Sequence, residues 1–101
     1  MGDEYNNDRN KLMNYIEIEL KYFNQRMARC ESIYYDTNKF AEWKKEEFFH
    51  FANELKEKMQ SLTIYPLSMH TKEEKRMDEL KIYEFTYYLN GFEISRFAML
   101  I

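Results

Sequence analysis

From residue 13 to residue 34, apolar side chains recur at strict heptad spacing. Met13, Leu20, Met27 and Tyr34 hold one register, and Ile16, Phe23 and Cys30 hold the other. Two interleaved rows of this kind form the a/d seam of one long helix, about three heptads in length. Tyr15, Ile18 and Tyr22 add a second apolar row at i, i+3, i+7. It lies roughly 100° round the helix from the first, because each residue advances ~100°. A helix that is apolar on two faces needs two covers.

Asp8 is a suitable N-cap, which places the first helix at 9–34 and leaves the polar residues 1–7 disordered. Asp36, Thr37 and Asn38 form a polar break, and each can cap a following helix. The second helix is predicted at 39–61, with Phe40, Ala41, Phe48, Phe51, Ala52, Leu55, Met59 and Leu62 as its apolar stripe. A break this short between two long helices implies an antiparallel helical hairpin.

The pattern changes after Ser61. Residues 62–67 are short and β-prone, and they contain the only proline, Pro66, which is compatible with an edge strand. Thr71-Lys72-Glu73-Glu74 matches a capping box and predicts a short helix over 72–80. From Lys81 onward Tyr83, Phe85, Tyr87 and Leu89 alternate with polar neighbours. Asn90-Gly91 then supplies the two positive-φ positions of a tight hairpin turn, and Phe92 and Ile94 resume the alternation. A two-residue turn pairs Leu89 with Phe92, Tyr87 with Ile94 and Phe85 with Arg96, leaving Arg96 as the one polar member of the inner face. A helix continuing to Leu89 and closed by Gly91 is the rival.

The predicted class is therefore α+β: an N-terminal antiparallel helical hairpin, a short helix, and a small antiparallel β-hairpin or sheet over 81–89 and 92–99, with 62–67 at an edge. The alternative is an all-α bundle of three or four helices. One domain over 1–101 suits this length. In the monomeric arrangement the second helix takes the seam, and Tyr15, Ile18 and Tyr22 take the sheet. In the dimeric one Leu20, Phe23, Met27, Cys30 and Tyr34 meet a second copy.

Composition narrows the function. Aromatic residues reach 18%, enough to build a core from few side chains and to leave rings for an interface. The net charge of −3 argues against a general nucleic-acid binder. A single cysteine excludes an internal disulfide and fits a reducing, cytoplasmic setting, in the source cell or an infected host. No leader or membrane segment is predicted. Abundant Asn, Lys, Tyr, Phe and Met with little Pro and Gly fits an AT-rich genome, as in a phage or virus accessory protein or an inhibitor of a host system.

Candidate chemistry is sparse. Glu47 and His50 stand at i, i+3, but a carboxylate-bridged metal centre repeats that unit, and it occurs once here. His50 falls away from the stripe and is read as solvated among Glu46, Glu47 and Glu54; Cys30 is read as an inert seam thiol. No phosphate loop or hydrolase motif is present, so the expectation is a non-enzymatic protein without cofactor or metal. Partner binding is assigned to Trp43 and Phe49, which lie off the second helix's stripe, together with Glu46, His50, Tyr15 and Tyr22. A nucleic-acid module is the alternative, using Tyr88 and Phe97 as stacking rings and Arg26, Arg29, Lys39, Lys44 and Lys45 as phosphate contacts. A subunit of a larger enzyme complex is a third reading.

Overall fold

The computed structural model describes residues 2–33, 36–76 and 80–100. Helices α1 (Asp3–Glu31) and α2 (Thr37–Gln60) precede strands β1 (Leu67–Lys75), β2 (Lys81–Leu89) and β3 (Phe92–Leu100). The strands form an antiparallel sheet in the order β1-β2-β3. The fold is α+β, two helices on one face of a three-stranded sheet, and not an all-α bundle.

Helix α1 begins before Asp8. Residues 3–7, expected to be disordered, are its first turns. Tyr5 explains this: its ring is buried, and its hydroxyl donates to the Leu89 carbonyl at 2.7 Å. Asp3 and Glu4 also suit the positive end of the helix dipole. Helix α2 is capped as predicted. The Asp36 carboxylate accepts from the backbone N–H groups of Asn38 and Lys39 at 3.0 and 3.2 Å.

The short helix predicted over 72–80 is absent from the described part of that range. Residues 67–75 form β1 instead, and 77–79 lie outside the described residues. Pairing with β2 overrides the local helix preference: Thr71 lies opposite Phe85 and Met69 opposite Tyr87. Pro66 stands just before the strand, and its carbonyl accepts from the Asn90 N–H at 2.8 Å, tying this loop to the hairpin turn.

That turn is built as predicted, with Asn90 at φ 53° and Gly91 at φ 85°. The register beyond it differs. A bulge between Tyr87 and Tyr88 leaves Tyr87 opposite Ser95, and Phe85 opposite Phe97 rather than Arg96. One extra residue on β3 reverses which side chains face inward. Phe97 and Met99 therefore enter the core, and Arg96 turns out to salt-bridge Glu93 and Glu84 at 2.7 and 3.6 Å.

The core runs between the layers. Tyr83, Phe85, Tyr87 and Leu89 of β2 meet Leu12, Ile16, Phe23 and Met27 of α1 and Phe48, Ala52, Leu55 and Met59 of α2. Each fully buried side chain of this size contributes about 1.5–3 kcal/mol. Phe48 joins the layers, with ring centroids 4.7 Å from Phe23 and 6.5 Å from Phe85. The Tyr87 hydroxyl donates to the Ala52 carbonyl at 2.7 Å, and burial holds its pKa well above the ordinary value.

Candidate functional site

The division of α1 differs from the predicted one. A single stripe, Tyr5, Leu12, Ile16, Phe23 and Met27, meets both α2 and the sheet. Tyr15, Ile18 and Tyr22 do not take the sheet. Ile18 is 54% exposed, Tyr22 is 62% exposed, and Tyr15 is half-buried. The sheet is narrow enough for one α1 stripe to serve two neighbours, and the second row is left at the surface.

Beside that row runs a groove of about 550 Å³ between the helices. Phe23, Phe51 and Leu55 line its depth, with the Phe23 and Phe51 rings stacked at 4.3 Å and 20°. Tyr15, Glu19, Tyr22, Arg26 and Arg29 come from α1, and Glu47, His50, Glu54 and Lys58 from α2. The Arg26 guanidinium lies 3.3 Å from the Glu47 carboxylate and 5.2 Å from the Phe23 ring centroid. His50 Nε2 lies 3.5 Å from Glu54 Oε1. The groove thus offers aromatic and aliphatic surface beside the Arg26–Glu47 ion pair and other polar side chains, which suits non-covalent recognition of an amphipathic segment.

Of the six predicted partner-binding residues, the groove brings together Tyr15, Tyr22 and His50. Glu46 is exposed on α2 away from it. Trp43 and Phe49 are not left uncovered. Both pack against the core, Phe49 edge-on to Tyr83 and Phe85 at 5.4 and 5.2 Å, and Trp43 beside Phe40 at 5.8 Å. Rings on the flanks of the α2 stripe reach over to neighbouring elements, so their position off the stripe does not make them free. Ile18, expected to face the sheet, is at the surface, and Arg26 and Arg29, expected as phosphate contacts, line the groove with Glu47. The i, i+4 step from Ile18 to Tyr22 on the far side from Leu12 and Ile16 was the available signal.

Among the seam positions, Phe23 is spent inside the monomer, Met27 is buried, and Leu20 and Cys30 are half-buried. Tyr34 lies outside the described residues. The strand rings Tyr83, Phe85, Tyr87 and Phe97 are all buried, which withdraws Phe97 as a stacking platform for bases. Lys45 sits 5.0 Å from the Tyr83 ring centroid, and Arg26 is engaged with Glu47. Among the described residues no group of three metal-ligating side chains converges, and no helix is long and apolar enough to cross a membrane. No family model, curated protein or solved structure matches this chain.

Proposed function

We propose that this is a non-enzymatic protein that acts inside cells by binding another protein along the α1–α2 groove. The observation that carries the reading is the exposed pair Ile18 and Tyr22 beside half-buried Tyr15, next to a groove edged by the Arg26–Glu47 ion pair. A central aromatic and aliphatic cluster inside a polar rim is the usual anatomy of a recognition surface. The occupant would be an amphipathic helix laid between α1 and α2, its apolar side chains against Tyr22 and Phe51 and its charges against Arg26 and Glu54. The lone cysteine supports a reducing compartment. Capturing a host protein, as a phage or virus accessory factor does, fits the same surface and the AT-rich composition.

The test is affinity capture from the source cell or host with the natural chain and with Ile18→Asp and Tyr22→Ser in parallel. Both positions are exposed, so both variants should fold normally. A partner retained by the natural chain and lost by both variants supports the reading. Equal recovery by all three overturns it.

A further inference from the structure

We propose that a second copy of this chain docks along the free edge of β3 and the flank of α1 above it, making a two-fold dimer with a continuous six-stranded sheet. The two outer strands of the sheet differ in a way that bears on this. The β1 edge carries four consecutive charges, Lys72-Glu73-Glu74-Lys75. Charged side chains are how edge strands are kept from pairing with other chains. Strand β3 has no such guard over Phe97-Ala98-Met99-Leu100, and its ladder is with β2 alone. Leu100 is 47% exposed at that edge.

Helix α1 brings a second apolar surface to the same edge. A hollow is lined by Met27, Ala28 and Glu31 of α1, by Lys44 and Phe48 of α2 and by Met99 and Leu100 of β3. Leu20 and Met13 stand one and two heptads before Met27 and so share its flank. Met13 is 37% exposed and Leu20 half-buried. Helix α2 pairs with α1 on the opposite flank, where Arg26 meets Glu47, and reaches the hollow through Lys44 and Phe48. Met27 of the heptad seam therefore borders the open strand edge, with Met13 and Leu20 on the same flank of α1.

The occupant is a second copy because the surface complements itself. A two-fold axis normal to the sheet sets β3 antiparallel to its mate, which satisfies both rows of free backbone groups. The same axis brings the two α1 flanks together, antiparallel, at Met13, Leu20 and Ala28. The rim of the hollow carries one charge of each sign, Glu31 and Lys44, as a surface that meets itself requires. Strand pairing alone buries little area, and the helical flank supplies the rest.

Sedimentation equilibrium of the full chain, from about 1 to 500 µM, tests the proposal. The natural chain should shift from monomer to dimer within that range. Leu100→Lys and Met13→Lys should each weaken dimerisation roughly tenfold or more, whereas Ser68→Lys at the start of β1 should leave it unchanged. Circular dichroism checks the fold of each variant. Should Leu100→Lys disturb it, Ala98→Lys brings the same charge to the same edge from an exposed position. A natural chain that stays monomeric at the highest concentration overturns the proposal, as does a dimer indifferent to charge at positions 98 and 100.

Discussion

Adjacent residues on α1 have opposite fates, and comparing Phe23→Ala with Tyr22→Ala tests the division of that helix most directly. Phe23 is 5% exposed and touches two rings, Phe48 at 4.7 Å edge-on and Phe51 at 4.3 Å stacked. Truncating a buried Phe costs about 3–5 kcal/mol. Each aromatic pair adds about 0.5–1.5 kcal/mol beyond area, so the loss should fall near the top of that range, about 4–5 kcal/mol. Tyr22 is mostly exposed, and its removal should stay within roughly 0.5 kcal/mol of neutral, with alanine's better helix propensity as a small offset. Urea denaturation of both variants at one pH, with the slope compared to confirm an unchanged unfolded state, reads these values. For a chain of this length the Phe23 variant should melt roughly 15–30 °C lower. A cost above about 1.5 kcal/mol for Tyr22→Ala would place that ring inside the protein and refute both the groove and the single-stripe reading of α1.

Tyr87→Phe removes the hydroxyl that donates to the Ala52 carbonyl and should cost about 1–2 kcal/mol at neutral pH. The raised folded pKa of Tyr87 means its contribution is complete below about pH 10 and is lost as pH rises toward the folded value, by about 1.4 kcal/mol per pH unit. Denaturation curves at pH 8 and pH 11 should therefore show a smaller alkaline loss in the Phe variant; an identical loss would contradict the burial argument. Gly91→Ala meets no atom within 4 Å but must hold φ +85°, so thermal melts should show a cost of about 1–2 kcal/mol from backbone strain alone. Asp36→Ala removes acceptance from two α2 backbone N–H groups and should cost about 1 kcal/mol by urea denaturation; no measurable change would mean the cap is replaced by water.

The hairpin was legible because Asn90-Gly91 is a local signal that demands one turn type, and the flanking alternation agreed with it. The bulge leaves a trace in the sequence as well. Apolar positions step by two from Phe92 to Ile94, then by three to Phe97, and a register without a bulge leaves Arg96 as a charge on an apolar face. Strand β1 was hidden for a different reason. Lys72 to Lys75 are good helix formers behind a capping box, and nothing local shows that β2 will take them as a partner. The period-two alternation of Leu67, Met69 and Thr71 with Ser68, His70 and Lys72 was the competing signal, and pairing across the sheet decided between them. The two rows of α1 are legible in the sequence as rows. Their covers are not, because a helix wheel gives angles between residues and says nothing of how wide the sheet beneath will be.

The two surfaces on α1 are independent in geometry, and that has a functional consequence. Tyr15, Tyr22, Arg26 and Arg29 lie on the flank toward α2, while Asn24, Met27, Ala28 and Glu31 lie on the flank toward the β3 edge. A dimer closed through the β3 edge would leave both grooves open, one on each copy. Two grooves held in one rigid body turn the second contact with a paired or repeated target into an intramolecular event, which can strengthen binding by about 10²–10⁴ without any new contact. The Leu100→Lys variant should then bind a single copy of a partner as well as the natural chain does, and lose only the added strength toward a bivalent one. Loss of monovalent binding would mean that edge and groove are coupled through α1, and that the helix is one surface rather than two.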